Sequence, residues 1–228
     1  MLIESRGGER VANMADWEKS VTKKDWKPYR SAHALAGFVL NEEGAEKIRR
    51  VVSAVVKEPV CFDLAMLELR IAFDKFRSPR HHDLGIYGKT GNGKTVFVGV
   101  EAKVDEEFGK HVKAEFKNSS PTAKQRIEGL WKRHAFKSKI EESKIRYQLL
   151  YSTVGTVDAG ADISVFIVMV FQTCRYDGKK GKRNYCDYMH FMRETGARRL
   201  DFPDDKFDVH HLNLNGKSLF CVYQNGVD

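Results

Sequence analysis

The sequence predicts a mixed α/β domain, and three observations carry that prediction. Apolar residues recur with helical spacing at Ile48, Val51, Val52 and Val55. Strand-like runs of alternating or continuous apolar residues occur around Leu67, Asp83, Thr95 and Ile163. Asn-Gly dipeptides at 92–93 and 215–216 stand between strand-like stretches, where tight hairpin turns need residues that accept positive φ.

Taken in order, Ser31 is placed to cap a first helix, 32–40, and Asn41 a second, which Pro59 closes off. Leu67, Leu69, Ile71 and Phe73 alternate with more polar neighbours, the period of a half-buried strand. A loop over 74–82 follows, holding Pro79. Strands are then expected at 83–88 and 95–104, joined by a turn at Asn92-Gly93. Ser120 with Pro121 marks a helix start, since proline at the first helical position wastes no hydrogen bond. That helix should run to about His134 and bury Ile127, Leu130 and Trp131. Another is expected over 141–157, with Ile145, Leu149, Leu150, Val154 and Val157 on one side. A buried strand, 163–171, a basic loop over 178–183, a helix over 185–194 and a C-terminal hairpin with strands at 210–214 and 219–223 complete the order.

The 228 residues, 42% hydrophobic and 31% charged, suit one ordinary globular domain with a substantial core. Residues 1–25 are expected as an N-terminal extension and 26–228 as the domain. No apolar run approaches the roughly 20 residues that span a bilayer, so no membrane partner is expected. The N-terminus has no apolar signal-peptide core. Cys61, Cys174, Cys186 and Cys221 contain no CxxC pair, so the sequence speaks for free thiols in a reducing cytoplasm.

The net charge of +8 is unevenly spread. Residues 110–146 hold 11 Lys/Arg against 4 Asp/Glu, and Lys179, Lys180, Lys182 and Arg183 form a second knot. Concentrated positive charge attracts polyanions, although a solvated helical face has the same composition.

Gly88 to Thr95 matches the phosphate-loop pattern GxxxxGK[ST] letter for letter. That loop requires a helix to begin at the Lys-Thr, because the helix N-terminus supplies the phosphate-binding N–H groups. Val96-Phe-Val-Gly-Val100 is strand chemistry instead, so a hairpin is expected. Flanking this hairpin are Asp83 and the triplet Glu101-Ala102-Lys103. Alternation along a strand puts Glu101 and Lys103 on one face, and the hairpin returns the chain to Asp83. Two carboxylates placed together repel, which favours a divalent cation between them. An ammonium beside them would offset charge on a phosphoryl oxygen.

At these residues the sequence resembles the PD-(D/E)XK nuclease superfamily, the restriction-endonuclease-like proteins. The matching pieces are Asp83-Leu-Gly-Ile86 and Val98-Gly-Val-Glu101-Ala-Lys103. Glu101 to Gly109, Ile145 to Leu150 and Ser31 to Ala36 look like an uncharacterised bacterial branch, extending the resemblance over 26–228. It implies a mixed sheet with a three-strand meander, helix and strand, flanked by helices and ending in the β-hairpin. It also implies Asp83 and Glu101 as ligands of Mg²⁺ or Mn²⁺, Lys103 as the catalytic lysine, and Gln148 as an accessory catalytic residue. His82 stands where the family pattern has a proline that is often missing, and some members place Gln and Tyr four apart, whereas Gln148 and Tyr151 are three apart. A further acid from the first helix is left open among Glu42, Glu43 and Glu46.

His81-His82 could touch metal or phosphate, or be plain surface groups. His210-His211 with Asn213 suggests a ββα-metal site only faintly, against an ordinary hairpin. Trp17, Trp26 and Trp131 are expected as core anchors. The expectation is a cytoplasmic metal-dependent nuclease acting on nucleic acid, DNA before RNA, with a homodimer allowed. The alternative is an inactive binding module on the same fold.

Overall fold

The computed structural model describes residues 1–72, 74, 76 and 80–227. The expectations for Phe73 and Pro79 lie outside the described residues. An eight-stranded mixed sheet runs in the order β1-β2-β3-β4-β5-β8-β7-β6. Its strands are β1 Leu2–Glu4, β2 Val60–Ile71, β3 Arg80–Thr90, β4 Thr95–Lys103, β5 Ile163–Phe171, β6 Arg198–Leu200, β7 Phe207–Leu214 and β8 Lys217–Val227. Helices α1 Met14–Ser20, α2 Ser31–Leu40 and α3 Glu42–Val56 precede the antiparallel meander β2-β3-β4. Helices α4 Val112–Asn118, α5 Pro121–Arg133 and α6 Tyr147–Asp158 separate it from β5, which pairs parallel to β4. Helix α7 Gly178–Glu194 follows β5.

The sheet divides two cores. On one face Val96, Val98, Val100 and Ala102 of β4 meet α2 and α3 through Leu35, Val39, Ile48 and Val52. On the other face Phe166, Val168 and Val170 of β5 meet α5, α6 and α7 through Ile127, Leu149, Leu150 and Phe191. The stretch 1–25, expected as an extension, supplies β1 and α1 to the fold. Leu2–Glu4 pairs parallel with β2, and Trp17 is 1% exposed in the first core.

Several expectations hold. Asn41 caps α3 by accepting from Glu43 N–H at 3.0 Å. Ser120 caps α5 ahead of Pro121, and Ile127, Leu130 and Trp131 are buried. Thr90 and Thr95 are joined through Gly93 at φ 86°, and β4 rather than a helix follows, so Gly88 to Thr95 is a hairpin. Asn215 and Gly216 both take positive φ in the C-terminal turn. Ser31 is the first residue of α2 rather than its cap, Arg30 holding that position without a side-chain bond.

Four further expectations are corrected. The strand expected from Leu67 begins at Val60, and its alternation breaks at Glu68, which sits at φ 49°. Leu67 therefore enters the core beneath α2 and α3, whereas Leu69 and Ile71 turn to the opposite face with Phe97. The strand of Asp83 begins at Arg80, taking His81 and His82 out of the expected loop. The helix expected over 141–157 is split into a 3₁₀ turn at Ile140–Glu142 and α6 from Tyr147. Between them Arg146 bridges to His111, and Ile145 C=O accepts from Val112 N–H, so this backbone serves a neighbouring segment instead of a helix. Finally, the 178–183 knot is the opening of α7, not a loop. Asp177 accepts from the N–H groups of Lys179 and Lys180 and so anchors a helix that glycines and repelling lysines would not start alone.

Candidate active site

The site lies where the β3–β4 ladder ends. Paired residues run from Lys89↔Thr95 to Leu84↔Val100. Beyond them Asp83 Oδ2 accepts from Ala102 N–H at 2.8 Å, so a carboxylate takes the place of a strand carbonyl. Both strands of the β2–β3 pair change face here. The positive φ of Glu68 does so on β2, and His82 and Leu84 lie on opposite faces of β3. Glu68 and Asp83 are thereby left together on the wall of one cleft.

Glu101 is fully buried, and both its oxygens are engaged from α6. Gln148 Nε2 donates to Oε2 at 2.5 Å and Ser152 Oγ donates to Oε1 at 2.9 Å. His82, 2% exposed, places Nδ1 3.7 Å from Glu101 Oε1, too far for a hydrogen bond, and that nitrogen is unpartnered. Its ring lies between Phe97 and Phe166, in space that Gly99 provides. A Cβ at Gly99 would stand 2.6 Å from Thr156 Oγ1 and 2.8 Å from His82 Cε1. Lys103, 4% exposed, sets its ammonium 5.4 Å from the centre of the Phe108 ring and lines the cleft with Asp83.

These charges govern one another. Burial and the charge of Glu101 push Asp83 well above the ordinary carboxylate range, against the pull of Lys103. Burial opposes charge on Glu101 too, but His82 and Lys103 nearby hold that carboxyl below its ordinary value. The two carboxyls are thus pushed in opposite directions, Asp83 up and Glu101 down. Burial, Glu101 and Asp25 push Glu68 up to about 7. A half-buried Asp83 beside a fully buried Glu101 is a donor set that suits a hard cation. Among the described residues no three His, Cys, Asp or Glu side chains form a metal-binding group. A pair of carboxylates fits Mg²⁺, which commonly keeps several waters and takes one or two protein carboxylates.

The cleft has a volume of about 440 Å³. Its sheet side carries Glu68, Asp83 and Lys103, and Glu106 follows from the next loop. The opposite wall carries Lys24, Asp25, Lys27 and Arg30, from the segment between α1 and α2. The structure thus brings Asp83, Glu101, Lys103 and Gln148 together. The candidate fourth acids on α3 lie elsewhere in their own contacts: Glu46 binds Arg49 and Arg50, and Glu43 binds Lys47. Glu68 stands in their place, and Ser152 joins the set. The sequence signal for Ser152 was its spacing of one helical turn from Gln148. Glu68 had none, because strand alternation puts it on the wrong face until its φ is known.

The other candidates resolve locally. His81 pairs with Glu68 at 3.1 Å, His210 is buried against Tyr188, and His211 bonds Ser218. Trp17 and Trp131 are buried anchors, and the four cysteines are free thiols. The arginines of the basic 110–146 and 178–183 regions are paired internally. Arg126 binds Asp74, Arg133 binds Asp158, Arg146 binds Glu107 and Asp187, and Arg183 binds Glu107. No helix among the described residues is long and apolar enough to cross a membrane.

No curated protein and no solved structure matches the chain. The family model described as a domain of unknown function, DUF6946, matches residues 10–227, nearly the whole length, and the chain belongs to that family.

Proposed function

We propose that the protein is a divalent-metal-dependent phosphodiesterase acting on nucleic acid, DNA before RNA, through Asp83, Glu101 and Lys103. The observation that carries this reading is the meeting of Asp83, Glu101 and Lys103 at one strand end, where Asp83 and Lys103 line a cleft that also carries Lys24, Lys27 and Arg30 and Glu101 lies buried behind them. The order of α3, the meander β2–β4, α6 and the parallel β5 supports a restriction-endonuclease-like arrangement. Mg²⁺ or Mn²⁺ held by Asp83 and Glu101 would supply Lewis acidity at the scissile phosphate and a lowered pKa for water. Gln148 and Ser152 fix the Glu101 carboxylate so that its direction survives the approach of substrate. Lys103 offsets negative charge as it grows on the phosphoryl oxygens.

The test is Mg²⁺- or Mn²⁺-dependent cleavage of plasmid and of short single strands, with EDTA as control and thermal melting to confirm folding. Glu101→Gln and Lys103→Ala should each lower cleavage by at least about 100-fold, the scale on which such charge stabilisation acts. Combining them should add little more, because the residues act as one unit. Wild type and Glu101→Gln cutting equally would overturn the assignment. A second reading, an inactive binding module, draws support from the complete burial of Glu101 behind Gln148 and Ser152. Binding without cleavage by wild type would favour it.

A further inference from the structure

We propose that the segment between α1 and α2 is a docking face for single-stranded nucleic acid, with Tyr29 stacking on an unpaired base and Lys24, Lys27 and Arg30 on the backbone. The inference rests on the phosphodiesterase reading for its cleft and adds the strand type and the residues that hold it. Tyr29 is 53% exposed, whereas the other large hydrophobics exposed among the described residues are Met1 and Leu2. It takes φ 65°, a left-handed conformation that a bulky L side chain adopts only when its surroundings impose it. Those surroundings are visible. Its carbonyl accepts from Thr173 Oγ1 at 2.6 Å, and its ring centre lies 5.7 Å from that of His33, itself 5.2 Å from Trp26. An exposed aromatic ring is thus held by the residue that precedes Arg30 of the cleft wall.

Charge supports the same occupant. Lys24 and Lys27 are exposed on the cleft and have no ion-pair partner among the described residues, whereas the cations of the 178–183 knot and the 126–146 stretch include several bound to carboxylates. Arg30 is oriented by Asp105 at 2.9 Å, and Asp25 is the acid on that wall. The cleft is within the roughly 300–1,000 Å³ that holds a small group such as one nucleotide. A lone exposed ring also favours a single strand, because the base faces of a duplex are already stacked.

The experiment measures fluorescence anisotropy of a labelled 15-mer of thymidine, and of a duplex of equal length, in EDTA at low salt. Cleavage plays no part in this readout. The single strand should bind more tightly than the duplex. Tyr29→Ala should weaken it roughly tenfold, Tyr29→Phe should restore it, and Lys24→Ala with Lys27→Ala should weaken it with a shallower salt dependence. Thermal melting of each variant separates lost contact from lost fold. Unchanged binding by Tyr29→Ala, tighter binding of the duplex, absence of binding, or equal competition by poly-glutamate would each overturn the inference. Wild type that binds in this manner and never cuts with metal would sink the phosphodiesterase reading alone. Wild type that cuts while Tyr29→Ala binds normally would sink the docking face alone.

Discussion

His134 shows how burial of one residue makes stability depend on pH. Its Nδ1–H donates to Leu130 C=O at 2.9 Å, and Nε2 lies 2.9 Å from Thr153 Oγ1, whose hydroxyl also reaches Leu149 C=O at 2.8 Å. Burial pulls its pKa down to about 4. In the unfolded chain the ring takes up a proton near pH 6.5. As pH falls through that window the unfolded state binds the proton first, so stability is lost between about pH 6.5 and 4 and is intact above it. The loss should reach about 2 kcal/mol between pH 7 and pH 5. His134→Gln should flatten the fall in Tm over this range. Equal slopes for wild type and variant would show that His134 is not the group responsible. The candidate site has the same lesson for sequence reading. Asp83, Glu101 and Lys103 were legible because strand period and one hairpin suffice to gather them. The contact of Gln148 with Glu101 Oε2 was not legible, because it depends on where α6 crosses the sheet. Glu68 was illegible because its place depends on a single positive φ, which no alternation pattern encodes.

At the scale of elements, Arg146 decides where α6 begins. Its guanidinium binds Asp187 of α7 at 2.6 Å, Glu107 at 2.7 Å and the Gly109 carbonyl at 2.5 Å, with 7% of the side chain exposed. One cation thus ties α6, α7 and the loop that follows Lys103. Helical periodicity over 141–157 could not reveal this, because the apolar residues fit one helix whether or not the backbone breaks. The basic knot was misread for the opposite reason. Its local composition opposes a helix, while Asp177 and the burial of Tyr188 and Phe191 enforce one. Strand β5 and the two Asn-Gly hairpins were legible throughout, since their signals are local. Arg146→Ala should destabilise the protein by about 3 kcal/mol, the low end for a broken buried pair because Glu107 and Asp187 are partly solvated. Arg146→Lys should recover little, since a single ammonium cannot span three acceptors. Urea denaturation measures both, and a loss under about 1 kcal/mol for Arg146→Ala would show the network to be dispensable.

At the scale of the molecule, the chain's last strand is interior to the sheet and its first is an edge. Strand β8 pairs parallel to β5 from Ser164↔Leu219 to Phe171↔Val227, and Leu219, Cys221, Val222 and Tyr223 are buried. Strand β5 is buried along almost its whole length, between β4 and β8. Removing residues 204–228 would leave β5 with a long unpaired apolar edge and strip its partners from both cores. Pairing residues so distant in sequence also means that the sheet closes only after the C-terminal hairpin has formed. At the other end, β1 is a three-residue edge strand beside β2, with an isolated bridge from Glu4 to Arg10 on its outer side. The two truncations should therefore differ sharply. A chain ending at Pro203 should lose its near-UV circular dichroism and aggregate on gel filtration, whereas removal of residues 1–5 should leave a cooperative thermal transition at a modestly lower Tm. A folded, monodisperse chain ending at Pro203 would mean that β5 needs no neighbour on that side, and the role assigned to the hairpin would fail.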